Sequence, residues 1–250
     1  MTTPSLPAIA QVSADMLVLG RTPAPRAHGV SYPLTLDRRA TTGALLGPDG
    51  ETRDQLLIDL CRGVVGVGGM VWCAEPWPEA APAEVRELAD TTFVATRTDP
   101  TRRDGADLAD EFSGIEALIT FRRDQAAAIS ERPARQSPVL VVLYEADAIL
   151  GECPRVAHDH VAGQLLQLIC KGAQHGIGFL IVTSELDGIV RRLGDRPIDG
   201  GACLVLGNAS PDIHARLRTR HRLSTRITPR ADIAYVVHAG EAYPFDLPTA

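Results

Sequence analysis

Residues Val139–Tyr144 read VLVVLY, an apolar run with no charged residue in it. A strand with one wet face alternates apolar and polar side chains, so an unbroken run calls for cover on both faces, as in a parallel sheet. Phe179–Val182 (FLIV) and residues 202–206 (ACLVL) have the same texture. Between the first two runs, residues 155–173 place Val161, Leu165, Leu168 and Ile169 on one helical stripe. An earlier unit repeats this layout. TGALLG starts at Thr42, Pro48-Asp49-Gly50 makes a turn, and residues 52–65 carry Leu56, Leu57, Leu60, Cys61 and Val64 at helical spacing. Gly66 and Gly68 end that helix. Further strands are expected at 16–19, 32–36, 70–73, 93–95 and 233–237, and further helices at 82–89, 108–130, 185–193 and 209–219. Alternating strands and helices predict an α/β fold with a doubly wound, mostly parallel sheet.

The chain has 250 residues, enough for one large domain, which we place at 13–240. Residues 1–12, with two prolines and no charge, read as a flexible N-terminal arm, and 241–250 as a C-terminal tail. No apolar run reaches the roughly 20 residues of a membrane helix, and the N-terminus lacks the basic start of a signal peptide. A cytoplasmic location without membrane insertion is expected. The five cysteines are scattered and without CxxC pairs, which fits reduced, buried thiols. Cys153, His158 and His160 lack a fourth ligand, so no metal site is expected.

Four segments carry a resemblance: TGALLGPDGETRDQLL from Thr42, VLVVLYEADAIL from Val139, AGQLLQLICKGAQHGIGFLIVTSE from Ala162, and GACLVLGNASPDIHARL from Gly201. In order and texture, over roughly residues 16–240, the chain resembles the FtsK/SpoIIIE-type (HerA/FtsK-like) P-loop DNA translocases. The resemblance implies a P-loop NTPase core of the RecA/FtsK kind, with degenerate Walker A and Walker B motifs. A working P-loop reads G-x-x-x-x-G-K-[ST]: its amides wrap the phosphates, its lysine reaches them, and its hydroxyl holds magnesium. Here Gly47 and Gly50 remain, Thr52 stands for the last glycine, Arg53 for the lysine and Asp54 for the hydroxyl residue. A β-branched Thr52 hinders close backbone approach, a planar guanidinium does not replace a compact ammonium, and Asp54 repels phosphate. Gly47, Gly50, Thr52, Arg53, Asp54 and Thr183 are the nucleotide-binding candidates that the resemblance implies. At the end of the second motif Tyr144 takes the place of the magnesium-organising Asp, and Glu145 that of the catalytic Glu. Asp147 follows, but a helical start is expected to aim it elsewhere. The structural alternatives are helix capping for Glu145 and Asp147, and a plain tight turn for Gly47 and Gly50.

Arg216, Arg218, Arg220, Arg222 and Arg226 form an arginine-dense stretch suited to DNA phosphates or an acidic partner. A solvated helix end with dipole-favoured cations is the plainer reading, and DNA binding is not favoured. The formal net charge of −6 disfavours an obligate nucleic-acid binder. Gly66-Val67-Gly68-Gly69 precedes a strand instead of following one, the wrong context for a dinucleotide fingerprint. The expected function is a non-catalytic FtsK-like domain acting as an assembly, scaffold or regulatory subunit. Its expected partner is a protein: an active DNA-translocating or secretion ATPase, or a further copy of itself. The alternatives are a nucleotide sensor that binds without hydrolysis and a slow ATP-dependent DNA translocase. No cofactor is expected for the first reading; ATP and magnesium belong to the alternatives.

Overall fold

The computed structural model describes residues 16–21, 33–37, 42–66, 68–94, 106–128, 137–151, 155–195, 203–223, 227–238 and 241–247. A two-stranded antiparallel hairpin, β1 (Met16–Arg21) and β2 (Pro33–Asp37), stands apart from the main sheet. The main sheet holds β3 (Thr42–Leu46), β4 (Met70–Glu75), β5 (Thr91–Val94), β6 (Val139–Tyr144), β7 (Ile177–Thr183), β8 (Cys203–Leu206), β9 (Ile233–His238) and β10 (Glu241–Asp246). Its order is β10-β9-β8-β3-β7-β6-β4-β5. The stretch from β8 to β5 is parallel; β9 and β10 add to it antiparallel. The helices are α1 (Glu51–Gly66), α2 (Ala83–Leu88), α3 (Ala106–Ala128), α4 (Ala146–Gly151), α5 (Arg155–Gly172), α6 (Asp187–Leu193) and α7 (Pro211–His221).

The sheet is covered on both sides, which is why its strands read as continuous apolar runs. Successive strand residues point to opposite faces. In β6, Leu140, Val142 and Tyr144 join α1 and α2 in one core, while Val139, Val141 and Leu143 join α3, α4, α5 and α6 in the other. At the β8 side, Cys203 and Val205 pack with Ile213 and Leu217 of α7. The parallel strands all end at one edge of the sheet, and there the β3–α1 loop, the β6–α4 turn and the end of β7 meet. Crevices at the carboxyl edge of such sheets are where open α/β folds bind ligands.

The fold differs from the sequence expectation in two places, at residues 241–246 and at Cys170. Residues 241–246, expected as a tail, form an edge strand paired with β9. Pro244 obscured it, since proline is at home only in an outer strand or a bulge. Residues 106–128 make one helix, within the expectation for 108–130. Cys61, Cys73 and Cys203 are buried as expected, but Cys170 is exposed. Burial pushes the Cys61 thiol up to about 12, far from thiolate reactivity. The proposed arm at 1–12 and Cys153 lie outside the described residues. Among the described residues no helix is long and apolar enough to cross a membrane.

Candidate functional site

The site begins where β3 ends. Gly47 N–H donates to the Thr183 carbonyl at 3.2 Å, tying the loop to the end of β7. A Cβ on Gly47 would sit 2.7 Å from the Leu206 side chain of β8, so only glycine lets the loop pass. Gly50 has φ +148, a conformation that favours glycine, and its carbonyl accepts the Asp54 N–H at 3.1 Å to start α1. Asp49 and Thr52 are exposed, and Asp54 is half-buried.

Arg53 does not point to solvent. Its side chain is 0% exposed and runs beneath the loop. Its Nη2 donates to Asp49 Oδ1 at 2.7 Å, to Tyr144 Oη at 3.1 Å and to Glu145 Oε1 in a very short contact. Nη1 donates to the Gly47 carbonyl at 3.4 Å. The guanidinium also lies over the Tyr144 ring, 5.2 Å from its centroid. Tyr144 Oη in turn donates to Asp54 Oδ1 at 3.1 Å. One phenol and one guanidinium thus stitch the β3–α1 loop to the end of β6.

Glu145 occupies the turn after β6 with φ +50, an uncommon conformation for a side-chain-bearing residue. Its carbonyl accepts from Ile149 N–H at 3.0 Å and starts α4, leaving its carboxylate to Arg53. Asp147, expected to aim away from the crevice, instead meets Thr183: its Oδ1 lies 2.5 Å from Thr183 Oγ1. The same hydroxyl accepts from Glu185 N–H at 3.1 Å. Asp147 turns this way because α4 starts immediately after β6, next to the end of β7.

Burial pulls Arg53 toward its neutral form, but Glu145 and then Tyr144 more than reverse this, leaving it above its ordinary value. Burial raises Glu145 above the usual carboxylate range, although Arg53 opposes the rise. Asp54 is likewise raised by burial, against its bond from Tyr144 and the charge of Arg53. Burial also lifts the Tyr144 phenol, so it stays protonated and neutral at physiological pH. The crevice therefore gathers three carboxylates, Asp49, Asp54 and Glu145, around a single guanidinium.

No protein-family model and no curated protein matches the chain. Solved structures do. The cytoplasmic domain of EssC superposes with a TM-score of 0.63 at 11% identity, covering 100% of this chain and 48% of that one. VirB4 of Thermoanaerobacter pseudethanolicus gives 0.61 at 10% identity, covering 97% of this chain and 98% of that one. The pCW3 conjugation coupling protein TcpA, solved with ATPγS, gives 0.56 at 8%, covering 95% and 66%. The fold is that of the FtsK/HerA-type P-loop ATPases. The chain spans about half the length of the EssC chain it matches.

On the P-loop ATPase fold, the loop between β3 and α1 is the place for phosphate. Of the residues expected there, Gly47, Gly50, Arg53, Asp54 and Glu145 come together, with Thr183 beside them through Gly47. Thr52 points outward. Two members of the cluster carried no expected role: Tyr144 as the hydrogen-bond hub, and Asp49 as a partner of Arg53. The spacing of Asp49 and Arg53, four residues apart, was the available signal for the second. The arginine stretch on α7 is partly neutralised within the chain. Arg216 pairs with Asp187 at 2.7 Å and Asp195 at 3.6 Å, and Arg220 with Asp195 at 3.7 Å. Arg218 is exposed; so is Arg222, which ends α7 in a left-handed conformation. Arg226 lies outside the described residues. Among the described residues no three His, Cys, Asp or Glu side chains are arranged to hold one metal ion.

Proposed function

We propose that this chain is a non-catalytic P-loop-fold subunit, serving assembly, scaffolding or regulation beside an active translocating or secretion ATPase of the same fold. The observation that carries this reading is the enclosure of Arg53. A phosphate-binding cation must be available to phosphate, and this one is buried and bonded to Glu145 and Asp49. An incoming polyphosphate meets the carboxylates of Asp49, Asp54 and Glu145 first, with magnesium needed to offset them. The position that the resemblance gives to a magnesium-organising carboxylate is a neutral phenol, Tyr144, already bonded to Arg53 and Asp54. Glu145, the candidate for positioning water, is occupied by Arg53. Catalysis by preorganised charge has no group left to act here.

What remains is a folded P-loop domain whose surfaces are available to proteins. One EssC structure similar to this chain contains ATPases 2 and 3, and this chain covers 48% of it. DNA contact is not favoured, because Arg216 and Arg220 are paired within the chain. The test is phosphate release by the purified chain with magnesium and ATP. The expected result is release at the buffer rate, with or without DNA. Magnesium-dependent turnover that falls in an Arg53→Met variant would sink the proposal.

A further inference from the structure

We infer that the Trp77 loop of one copy of this chain takes the arginine-bearing end of α7 from a second copy, a head-to-tail contact of an indole and carboxylates with guanidinium groups. The contact lies apart from the Arg53 crevice, so it stands or falls separately from the proposed function. Its two halves are features that the crevice leaves unused: an exposed tryptophan and the exposed part of the arginine stretch.

The Trp77 loop is built to hold its shape. Trp77 follows β4 between Pro76 and Pro78 and is 51% exposed. Glu75, the last residue of β4, is buried. Its carboxylate accepts the Glu79 N–H at 3.3 Å and the Ala81 N–H at 2.9 Å, and the Trp77 carbonyl accepts the Ala80 N–H at 3.2 Å. Glu79 is thereby held at φ +64. A large aromatic side chain displayed on a loop ordered in advance loses little freedom on binding, and such side chains anchor protein interfaces. Exposed Glu79 in the loop, and exposed Glu84 and Glu87 on α2 just after it, add negative charge. Glu84 is shared with Arg62 at 2.5 Å. An aromatic ring beside carboxylates fits arginine, whose planar guanidinium both stacks on an indole and bonds a carboxylate.

The C-terminal end of α7 offers that group. Arg218 and Arg222 are exposed and one helical turn apart, while Arg216 and Arg220 pair with Asp187 and Asp195. The two features do not meet within one molecule. Strands β6, β7 and β3 lie between β4 and β8, which puts β4 and β8 roughly 19 Å apart at the spacing of a sheet. In addition, α2 lies on the sheet face that carries Leu204 and Leu206, and α7 on the opposite face, that of Cys203 and Val205. An acidic, aromatic pole and a basic pole placed diagonally on one chain meet only between copies, where opposite charge also guides the encounter. Such a contact is heterologous and leaves both ends of a pair open to further copies.

The test is sedimentation velocity on the purified chain, from about 1 to about 200 µM at low salt. Wild type is expected to associate within that range and to grow beyond the dimer. Trp77→Ala and Arg218→Glu/Arg222→Glu are each expected to weaken association at least about tenfold. An equal mixture of the two variants is expected to form a dimer at wild-type strength and go no further, because one keeps the α7 end and the other keeps the loop. Wild type that stays monomeric at about 200 µM, or that stops at a dimer, overturns the inference. So does a smaller effect of either variant, or a mixture that stays monomeric. Both variants change exposed side chains, so their melting temperatures are expected to match wild type. If Trp77→Ala does not fold, Glu87→Arg takes its place alone and in the mixture, with the same result expected and the same results overturning. Each of these outcomes leaves the proposed function standing, since none involves the Arg53 crevice.

Discussion

Replacing Arg53 by methionine is expected to destabilise the chain by about 3–5 kcal/mol near neutral to mildly basic pH, the cost of breaking a buried ion pair from one side. Methionine keeps much of the apolar stem, so the loss is mainly that of the charge and its hydrogen bonds. Glu145 dominates the effect because its side chain is only 14% exposed; Asp49, at 74%, contributes little through solvent. The effect depends on pH with a definite sign. In wild type, Glu145 and Asp54 already hold their protons more tightly than ordinary carboxylates, because burial disfavours the charged form. A raised carboxylate pKa means that the folded state binds the proton better than the unfolded state. Its contribution to stability is present below the unfolded value and lost as pH rises through the folded one. Arg53 limits that loss in wild type by lowering both groups. Without it the window widens upward. Urea titrations should therefore show a larger deficit for Arg53→Met at about pH 8 than at about pH 5. A deficit that is the same at both, or below about 1 kcal/mol, contradicts the account of this network as a buried charge cluster.

Phe179→Ala is expected to cost a similar amount, about 3–5 kcal/mol, by a different route. Phe179 is fully buried in the middle of β7, between β3 and β6, and packs into the core under α3 and α5. Its loss leaves a cavity that the flanking strands cannot close, since both of their faces are already packed. The side chains with which it forms that core cluster are apolar. The deficit should therefore be flat with pH, in contrast to Arg53→Met. The two variants together separate packing from charge: parallel curves for both would show that the Arg53 network is merely another part of the core.

The pattern of residues made the sheet legible because the physics that shaped it is local. A strand covered on both faces must be apolar throughout, and VLVVLY and FLIV are. The β3–α1 turn was legible for the same reason, through Gly47, Pro48 and Gly50. The network around Arg53 was legible only as a set of altered positions. Residues 91 and 92 places apart in the chain, Tyr144 and Glu145, come to its guanidinium through the order of the sheet, which no local pattern encodes. Asp147 was misjudged likewise, because its partner Thr183 sits on the neighbouring strand, 36 residues on. The arginines of α7 read as a basic stretch in sequence, and Asp187 and Asp195, which no local pattern places beside them, pair with part of it. β10 was missed through Pro244, whose tolerance depends on its strand lying at the sheet edge.

The central claim is that a P-loop fold here carries a phosphate loop whose cation is occupied from within. Calorimetric titration of ATP with magnesium into the purified wild-type chain, at millimolar concentration, tests it most directly. The account predicts no saturable heat and no shift in melting temperature. Saturable binding, lost in Arg53→Met, would contradict it, because Arg53 would then be reaching phosphate despite Asp49 and Glu145.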